Sequence, residues 1–528
     1  MSRRLFDMRT SPSSPSRYIP LRLPRVCVAV IGTDAADMFA RAESLIRDNL
    51  FVEFRLDYLR QPSSAFPRLR KFLETHADVL AVATCRRAVN GGKFRGSASA
   101  QAAILVKAAN CGCHFVDLEI QSVSALKPAE LEKVRRAAAL IISSHDFRAT
   151  RKIDETFARM KAFPAEYYKI VTTAQNLYDN VMMMRFLEHN RDKESVIGLC
   201  MGEQGVISRV LGVRAGSAFT FASAGPGEET APGQVTAREL NDTYRIDRVD
   251  AATRVYGVAG DPIAQSLSPA MVNMAFRREN VNAVYVGLHA KDLRDLMNCV
   301  RDIPINGLSV TMPYKEQIVD LLDNTDALTT KVGACNTVIR AQDGKLYGYN
   351  TDVAGVVLPL EQRIHVKDAK VLVIGAGGAA RAAVFGLKER GAEVFIINRS
   401  AAAGQKLARQ AKAKFLNRTA VRKMQFDVII NATPVGMSNG HGAAPLHANE
   451  LNTKWVMDMV YIPAETPLTK MARAKGIQVI SGSEMFVQQG ARQFEIWTGK
   501  PAPADDMQKV VQTALQARTE AAAAGKKK

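Results

Sequence analysis

Side chains capable of covalent and acid–base chemistry stand inside short apolar runs in the first half of the chain. Lys169 lies within YYKIVTTA (167–174), where burial and cationic neighbours such as Arg86 favour the neutral form of its amine. A neutral amine can attack a ketone, whereas an ordinary lysine is almost fully protonated near neutral pH. His145 lies near the end of the preceding apolar run and can move protons. These residue types suit a reaction that begins with attack on a carbonyl carbon.

Several charged residues share this placement at the ends of neighbouring apolar runs. A buried charge without a partner is unfavourable, so each one needs an explanation. Surface exposure or a structural ion pair would explain any single residue, but their occurrence on successive runs favours a shared site. Arginines in such a site can hold a carboxylate through paired hydrogen bonds. The residues are Glu53, Arg55, Arg86, Glu119, His145 and Lys169.

The apolar runs that carry these residues alternate with helical patterns between Arg25 and Ala224. About eight strands with intervening helices predict a (β/α)8 barrel, with an open doubly wound sheet as the alternative. A barrel forms its active site at the carboxyl ends of its strands, where the charged residues occur. The runs span residues 26–32, 51–59, 79–86, 114–120, 139–147, 167–174, 196–202 and 218–224.

A second chemical signature is VLVIGAGGAARA (371–382). An apolar run ends in glycines and then becomes alanine-rich, which predicts a strand, a tight turn and a helix. Glycines let the backbone approach a pyrophosphate, which binds at the positive end of the helix. A glycine-rich turn alone is weak evidence for a nucleotide site. The residues predicted to bind the cofactor here are Gly375, Ala376, Gly377, Gly378 and Ala379.

The next apolar run, 394–397, indicates which dinucleotide binds. In NAD-binding folds an acidic residue about 20 residues past the turn binds the ribose 2′-hydroxyl. Here the run is followed by Asn398, Arg399 and Ser400, and an arginine suits a 2′-phosphate. The sequence therefore predicts NADP.

Short polar motifs precede this glycine turn. SLSP lies at a predicted helix start, VTMPYK ends a strand, and NTV and NTD follow. Taken singly, each motif is typical of a turn or a helix cap. The motifs contribute Ser266, Ser268, Thr311, Lys315, Asn336 and Asp352.

Composition limits the function classes. The 528 residues exceed what one hydrophobic core normally organises, so several domains are expected. The net charge of +19 permits nucleic-acid binding, but its positive residues are scattered and no nucleic-acid-binding module is recognisable. Anionic substrates and a basic surface explain the charge as well. No apolar run approaches about 18 residues, so no membrane span is expected. Seven scattered cysteines indicate neither disulfides nor a metal site and fit a reducing environment.

The terminal segments have a biased composition. Residues 1–23 are rich in Ser, Arg and Pro and predict a disordered tail. Their low acidic content also resembles a transit peptide, although the segment is short and lacks an apolar core. We expect a cytoplasmic protein, with a plastid as the alternative if this segment is a transit peptide.

The motifs of the first half resemble type I 3-dehydroquinate dehydratase over residues 24–236. They are EFRLD, TCR, SSHDF, YKI, GVISR and APGQ, in the order and spacing of that family. The resemblance implies that Lys169 forms a Schiff base with the substrate ketone. It implies that His145 is the general acid and base that helps to expel water. It also implies substrate contacts from Glu53, Arg55, Arg86, Arg209, Phe221, Thr230 and Gln234.

One position departs from this family. A glutamate usually stands near the histidine, four residues after the TCR arginine, where this chain has Asn90. An asparagine carbonyl can accept the imidazole N–H and fix the orientation of the ring. It cannot stabilise an imidazolium by charge, so we expect a lower pKa for His145 than with glutamate. The dehydratase is expected to be active but slow.

The motifs of the second half resemble shikimate dehydrogenase over residues 255–517, with NATPVGM and DMVYIPAETPL extending the match. The resemblance implies that Lys315 and Asp352 protonate the carbonyl oxygen as hydride arrives from the nicotinamide. It implies substrate contacts from Ser266, Ser268, Thr311, Asn336, Tyr461 and Gln489. It implies cofactor contacts from Thr433, Met459 and Gly482.

Two positions depart from the second family. Ser309 replaces an asparagine that usually precedes VT. Ala403 replaces a basic residue that is common four positions after the phosphate-binding arginine. Looser binding of NADP is expected from the second change.

Together the halves resemble the fused dehydroquinate dehydratase–shikimate dehydrogenases, in which 3-dehydroshikimate passes from the first reaction to the second. We expect small-molecule substrates and no metal, nucleic-acid or membrane partner. A dehydrogenase with an inactive scaffold barrel and a nucleic-acid-binding protein are the alternatives. The predicted segments are a disordered tail (1–23), the barrel (24–236), a helical linker (237–254), a substrate-binding domain (255–359), a Rossmann domain (360–481), helices returning to the substrate-binding domain (482–517) and a tail (518–528).

Overall fold

Eight parallel strands form a barrel in the first half of the computed structural model, which describes residues 19–20, 22–437 and 443–525. Nearly all strand residues are buried, because one face of each strand lines the interior and the other meets the surrounding helices. The strands are β1 (Val26–Val30), β2 (Phe51–Arg55), β3 (Leu80–Thr84), β4 (Phe115–Glu119), β5 (Ala139–His145), β6 (Tyr167–Thr173), β7 (Val196–Met201) and β8 (Thr220–Ser223).

These strands pair in the order β7-β6-β5-β4-β3-β2-β1-β8. The first strand therefore pairs with both β2 and β8, and β7 and β8 stand at the two ends of this order. These two end strands also meet, because the Ala218 amide, just before β8, donates to the Val196 carbonyl of β7 at 2.9 Å. The predicted barrel is confirmed, and the alternative of an open doubly wound sheet is wrong because its end strands would not be hydrogen-bonded to each other.

The barrel helices lie between the strands in sequence. Two of them begin at polar caps: Asp34 accepts from the Asp37 amide at 2.9 Å, and Ser97 accepts from the Ala100 amide at 3.2 Å. The helices are α1 (Ala35–Leu45), α2 (Phe66–Thr75), α3 (Ala98–Asn110), α4 (Ile120–Ala125), α5 (Pro128–Ala137), α6 (Ile153–Lys161), α7 (Tyr178–Asn190) and α8 (Val206–Ala215).

A six-stranded mixed sheet follows, in the order β10-β9-β11-β13-β14-β12. Its strands are β9 (Arg254–Gly260), β10 (Ala283–His289), β11 (Ile305–Val310), β12 (Asn324–Thr325), β13 (Thr337–Arg340) and β14 (Leu346–Tyr349). The helices of this region are α9 (Ser268–Arg278), α10 (Leu293–Asp302), α11 (Ala327–Val332) and α12 (Asp352–Glu361).

A second six-stranded sheet is wholly parallel and has the order β17-β16-β15-β18-β19-β20. Counted from its own first strand, this is the order 3-2-1-4-5-6 of dinucleotide-binding folds. The order in which strands are added to the sheet reverses between β15 and β18. Its strands are β15 (Lys370–Ile374), β16 (Glu393–Ile397), β17 (Lys414–Phe415), β18 (Phe426–Asn431), β19 (Thr453–Asp458) and β20 (Gln478–Ile480). Its helices are α13 (Gly378–Glu389), α14 (Ala401–Ala411), α15 (Arg418–Val421) and α16 (Pro467–Ala474).

Two long helices, α17 (Gly482–Thr498) and α18 (Ala504–Gly525), end the described chain. From α17, Trp497 Nε1 donates to the Val338 carbonyl of β13 at 3.0 Å. The alanine-rich α18 continues into the segment predicted to be a tail, because alanine favours helix. The predicted N-terminal tail lies largely outside the described residues.

The segment predicted to be a linker, 237–254, is folded against its surroundings. It contains a π-helical turn (Glu239–Thr243) and a 3₁₀ turn (Ile246–Arg248). Leu240 and Ile246 have no exposed surface. The linker is therefore packed through a few apolar side chains. Its mostly polar composition gave no sign of this packing in the sequence.

The described residues form two compact units. The first comprises the chain up to Thr253 together with Leu288–Ile303, and the second comprises Arg254–Gly287 and the residues from Pro304 onward. Among the described helices, none combines the length and the apolar character needed to cross a bilayer.

Candidate active sites

One cavity at the carboxyl ends of the barrel strands gathers all the catalytic and substrate-binding residues implied by the family resemblance. Glu119, which was expected to share the site, does not line the cavity and pairs with Arg86 instead. β2, β5 and β6 supply side chains directly, and the loops after β3 and β8 supply others. Gly91 and Phe147 complete the rim of the cavity. The predicted residues that line it are Glu53, Arg55, Arg86, His145, Lys169, Arg209, Phe221, Thr230 and Gln234.

Lys169 is buried on β6 between two carboxylates and an aromatic ring. Its Nζ lies 3.0 Å from Asp117 Oδ2, 4.0 Å from Glu53 Oε1 and 3.6 Å from the centroid of the Phe221 ring. The sequence drew attention to cationic neighbours such as Arg86, whereas the charged groups in contact with the amine are these two carboxylates. Only a neutral amine can attack a ketone.

Arg86 links the carboxylates to the histidine. Its guanidinium bonds Asp117 at 3.0 Å, Glu119 at 3.3 Å and the Ser143 hydroxyl at 3.1 Å. Although burial acts in the opposite direction, the nearby cations hold the pKa of Asp117 well below its usual range. Arg86 is thus already neutralised by protein carboxylates and is poorly available to a substrate carboxylate.

Arg86 also sets the state of His145. Its Nη1 lies 3.2 Å from His145 Nδ1, and since arginine can only donate, Nδ1 accepts and the neutral ring carries its proton on Nε2. Desolvation, followed by the charges of Arg86 and Lys169, holds the pKa of His145 well below its usual value. The neutral imidazole is therefore the resting form at neutral pH.

Asn90 does not orient this ring. It lies in a 3₁₀ turn (Ala88–Asn90), and its buried Nδ2 has no hydrogen-bond partner among the described residues. The predicted hydrogen bond between the imidazole and Asn90 is not formed within the described chain. The contact of Arg86 with Nδ1 takes its place.

The two remaining arginines differ sharply in their partners. Arg55 makes a bidentate pair with buried Asp57, at 3.0 and 2.9 Å. Arg209 is only 1% exposed and donates to the carbonyls of Phe221 and Pro232, each at 3.3 Å. Its Nε has no partner among the described residues, and burial lowers the pKa of Arg209 to about 10. Arg209 is the cation best prepared for an anionic ligand.

The loop after β8 supplies neutral polar groups. Thr230 donates to Gln234 Oε1 from its amide at 2.7 Å and from its hydroxyl at 3.2 Å. This pair fixes the amide orientation of Gln234, so that its NH₂ group is directed away from Thr230.

Sequence reasoning missed Asp57 and Asp117, which neutralise Arg55, Arg86 and Lys169. A signal was available for Asp117, because VDLE places it two residues before Glu119 and so on the same face of β4. Asp57 lies after the end of β2, where the alternation of a strand no longer predicts the direction of a side chain.

The predicted catalytic pair of the second half is formed. Lys315 Nζ donates to Asp352 Oδ2 at 2.5 Å, and Asn336 Nδ2 donates to the other carboxylate oxygen at 2.8 Å. Asp352 begins α12 and is buried, whereas the Lys315 side chain is 18% exposed. One oxygen of the carboxylate thus orients the lysine while the amide fixes the other.

Amides and hydroxyls extend this pair into a network. Asn336 Nδ2 lies 3.3 Å from Gln489 Oε1, and Ser266 Oγ accepts from the Ser268 amide at 3.2 Å. The latter contact resembles the capping role considered for one of the serines. Thr311 is partly exposed after β11, and Tyr461 stacks on Phe486 with centroids 4.5 Å apart. Burial raises the pKa of Tyr461 to about 12, so its hydroxyl stays protonated.

Ser309 is compensated by residues that sequence reasoning did not single out. Its hydroxyl accepts from the Tyr285 hydroxyl at 2.6 Å and donates to Gln493 Oε1 at 2.7 Å. Gln493 Nε2 in turn donates to the Asn336 carbonyl at 3.0 Å. Gln493 lies one helical turn after Gln489, a spacing that could have predicted a shared face.

The glycine turn lies where a dinucleotide-binding fold requires it, between β15 and α13. Gly375 has φ = +121°, and α13 starts without a side-chain cap from Gly377. A Cβ on Gly378 would lie 3.2 Å from Lys315 Cβ, so the turn directly adjoins the catalytic pair. The surrounding turn residues Ala376 and Ala379 are partly exposed.

Other predicted cofactor residues lie in the loops at the carboxyl edge of the same sheet. Asn398, Arg399 and Ser400 follow β16, and the Arg399 side chain is exposed. Ser400 caps α14 by accepting from the Ala403 amide at 3.4 Å. Thr433 follows β18, Met459 follows β19, and Gly482 begins α17.

Comparison with known proteins supports the two families that the motifs indicate. The family model for type I 3-dehydroquinase matches residues 26–251, and that for the shikimate dehydrogenase substrate-binding domain matches 258–338. Models for shikimate/quinate 5-dehydrogenase and for the shikimate 5′-dehydrogenase C-terminal domain match 359–437 and 482–512. A bifunctional 3-dehydroquinate dehydratase/shikimate dehydrogenase of Arabidopsis thaliana, described as chloroplastic, is 32% identical over 91% of this chain and 83% of its own. The chain belongs to this bifunctional family.

Two further relatives match the dehydrogenase half. Shikimate dehydrogenase (NADP(+)) of Methanosarcina acetivorans is 38% identical over 50% of this chain and 99% of its own. The structure of shikimate 5-dehydrogenase from Thermus thermophilus with NADP(H) and shikimate is 33% identical, covers 50% of this chain and 100% of its own, and has a TM-score of 0.47. The bifunctional assignment rests on the Arabidopsis relative, whose match spans both halves.

Proposed function

We propose that the barrel dehydrates 3-dehydroquinate to 3-dehydroshikimate and that the second unit reduces 3-dehydroshikimate to shikimate with NADPH. One observation carries the proposal for each half. In the barrel, one cavity is lined by a buried lysine, a neutral histidine and an arginine that has no acidic partner among the described residues. In the second unit, a lysine–carboxylate pair adjoins a dinucleotide-binding turn.

The dehydratase reaction begins with Lys169. Lys169 gives up its ammonium proton to solvent, and the free amine attacks the ketone carbon; Asp117 Oδ2, 3.0 Å away, accepts a hydrogen bond from the amine and holds it in place. Loss of the carbonyl oxygen as water leaves a protonated imine. This cation draws electrons from the adjacent carbon, so a base can remove a proton there. Expulsion of the neighbouring tertiary hydroxyl as water and hydrolysis of the imine release the product, with one water lost overall.

His145 is the proposed base for this proton and the acid for the leaving hydroxyl. Its Nδ1 lone pair is engaged by Arg86, so proton transfer requires that this single hydrogen bond be given up. Asp117, Glu119 and Ser143 remain as partners of the guanidinium when it does so. Substrate binding is therefore expected to detach the ring from Arg86 without leaving the arginine unpaired.

Substrate recognition in the barrel divides between charged and neutral groups. Arg209 holds the substrate carboxylate, since its Nε is free among the described residues. Glu53, Arg55, Thr230 and Gln234 contact the hydroxyls, and Phe221 supports the amine of Lys169. Arg86, which was expected to hold substrate, chiefly fixes Asp117 and His145.

In the dehydrogenase, bound NADPH supplies the hydride. The chain supplies the proton: Lys315 holds the carbonyl oxygen by donating to it and transfers a proton as the oxygen gains charge. Asp352 orients the lysine, and Asn336 fixes Asp352. Hydroxyls and amides of Ser266, Ser268, Thr311, Tyr461 and Gln489 contact the polyhydroxy acid. Partial exposure of Lys315 allows its proton to be replaced from solvent.

The residues at the turn fit NADP. The uncapped start of α13 leaves its first amides available to a pyrophosphate, and Gly375 provides the turn that glycine adopts most easily. Arg399 is exposed at the end of β16, where the 2′-phosphate of the ribose would bind. Thr433, Met459 and Gly482, which follow β18, follow β19 and begin α17, would line the nicotinamide end of the cofactor.

All seven cysteines are buried thiols outside any disulfide, which supports a reducing compartment. We propose the cytoplasm, with a plastid as the alternative. Its partners are the three small acids of the two reactions and NADPH.

The purified chain with 3-dehydroquinate tests the proposal. Without NADPH, the conjugated product should accumulate and absorb in the ultraviolet. With NADPH, nicotinamide absorbance should then fall as shikimate forms. Product formation only when 3-dehydroshikimate is supplied would contradict the barrel assignment.

A further inference from the structure

Asp458 stands at the junction of the segments that line the nicotinamide end of the site. It ends β19, has no exposed surface, and lies opposite Asn431, the last residue of β18. The predicted cofactor contacts Thr433 and Met459 follow these two strands directly. A carboxylate at this point can act on both loops at once.

The first arm of this junction runs toward Thr433. Asp458 Oδ1 accepts from Asn431 Nδ2 at 2.9 Å. This contact fixes which way the Asn431 amide faces, so that its Oδ1 accepts from the Thr433 amide at 3.1 Å and hydroxyl at 2.7 Å. Val435 closes the loop, because its carbonyl accepts from Asn431 Nδ2 at 3.1 Å.

The second arm runs toward Met459. The Val460 amide donates to the same oxygen, Asp458 Oδ1, at 3.1 Å. The Met459 amide donates to the Asn431 carbonyl at 3.0 Å, so Met459 is held by backbone contacts on both sides. The other carboxylate oxygen, Oδ2, accepts from the Thr466 hydroxyl at 2.6 Å, at the start of α16.

A buried carboxylate bonded only by neutral donors is unfavourable compared with a well-packed apolar residue. Desolvation accordingly raises the pKa of Asp458, even though its hydrogen bonds act in the opposite direction. Such a group needs a reason beyond packing. Its contacts supply one, since Oδ1 holds both loops that lead into the nicotinamide site and Oδ2 anchors the carboxylate to Thr466 at the start of α16.

We propose that Asp458 is a positioning residue for NADPH, which holds the Thr433 and Met459 loops in register through Asn431 and Val460. It acts through these neighbours and does not itself touch the cofactor. The inference rests on the proposed cofactor role of the two loops. It adds that one buried carboxylate sets their relative placement.

The test compares three variants of the full chain. Asp458→Ala removes both arms. Asp458→Asn keeps an oxygen that accepts from Asn431 and Val460, and it changes only the contact with Thr466, whose hydroxyl then accepts a hydrogen bond where it previously donated one. Glu450→Ala is the matched control: it removes another fully buried carboxylate of the same sheet region, which bonds Arg418 Nε at 2.8 Å and caps its own 3₁₀ turn. Calorimetric titration measures the Kd of NADPH, and steady-state assays measure KM for NADPH and for shikimate.

We expect Asp458→Ala to raise the Kd and KM for NADPH by roughly ten- to a hundredfold, the scale of a displaced binding loop. Its KM for shikimate and its dehydratase rate should stay unchanged. Asp458→Asn should bind NADPH within about threefold of the unmutated chain, as an isosteric rescue. Glu450→Ala should lower Tm without altering the Kd. If Asp458→Ala does not fold, Asn431→Ala breaks the first arm and should weaken NADPH binding instead.

Two results would overturn the positioning role. One is an unchanged Kd in a folded Asp458→Ala chain; the other is an equal loss of affinity in Glu450→Ala, which would mean general loosening. The proposed function fails separately, when the unmutated chain binds NADPH but does not reduce 3-dehydroshikimate. In that case an Asp458-dependent Kd still supports the positioning role.

Discussion

The barrel site and the dehydrogenase site solve the problem of holding a reactive lysine in different ways. Lys169 lies in a buried network in which Arg86 bridges Asp117 and Glu119. Lys315 has one carboxylate partner, Asp352, and that carboxylate is fixed by a neutral amide. The first site is organised by charge pairing and the second by amide and hydroxyl hydrogen bonds.

The contrast follows from what each lysine must do. In the proposed mechanism Lys169 loses its proton and becomes a nucleophile, and the charged groups around it hold it in the cavity. In the same proposal Lys315 keeps its proton until hydride transfer makes the carbonyl oxygen basic, and a fixed carboxylate orients it. Burial alone therefore does not define the role of a lysine. The role also depends on how many anionic groups lie beside it and on which groups bind those anions.

The largest expected effect on activity is that of Lys315→Ala in the dehydrogenase. Removal of the proton donor should lower kcat of the dehydrogenase by roughly a hundredfold or more, while KM for shikimate changes much less. Dehydratase turnover of the same preparation is the internal control and should not change. A Lys315→Ala chain with normal dehydrogenase turnover would remove Lys315 from the reaction.

Much of this comparison could be predicted from the sequence. The strands and the barrel followed from the apolar runs, and the Lys315–Asp352 pair was implied by the resemblance to shikimate dehydrogenase. The ion pairs of Arg55 and Arg86 could not, because partner choice depends on which side chains meet across the barrel interior. The hydrogen-bond partner of His145 was missed for the same reason: the family motif pointed to Asn90, whereas Arg86 contacts the ring.

The network around Ser309 gives a similar lesson for the second site. Ser309 was recognised only as a departure from the family motif, whereas the structure shows that Tyr285 and Gln493 hydrogen-bond its hydroxyl from elements distant in sequence. Local motif comparison cannot detect partners supplied by another element. The packed segment at 237–254 was likewise hidden, because its few buried apolar residues lack a regular period.

A smaller effect is expected for cofactor selectivity, which in the dehydrogenase depends on the charge of Arg399. The unmutated chain should prefer NADPH over NADH by at least roughly tenfold. Arg399→Asp should erase or invert this preference, since a carboxylate repels the 2′-phosphate and accepts the 2′-hydroxyl. Lys406→Ala, an exchange of a basic residue on the following helix α14, serves as the matched control in kcat/KM measured with both cofactors. Equal use of both cofactors by the unmutated chain would contradict the role of Arg399.

The smallest expected effect concerns Asn90 and the pH dependence of the barrel. Burial and the neighbouring cations lower the pKa of His145, and the neutral ring is the active base. Activity is therefore lost only as pH falls through a value below about 6.5, and kcat/KM should be flat from neutral pH to below that value. Asn90→Glu places a carboxylate at the turn beside the cavity, which should raise the pKa, move the acid limb to higher pH and increase turnover by a few fold. Asn90→Gln is the neutral control. A limb that does not move in Asn90→Glu would exclude coupling between this position and His145.

Borohydride added with 3-dehydroquinate, followed by peptide mass mapping, shows whether the barrel is a working Schiff-base enzyme alongside an independent dehydrogenase. We expect a reduced adduct on Lys169 that is absent in Lys169→Ala, while both chains reduce 3-dehydroshikimate equally well. No adduct and no water loss, in a preparation whose dehydrogenase is active, would show that the barrel is only a scaffold.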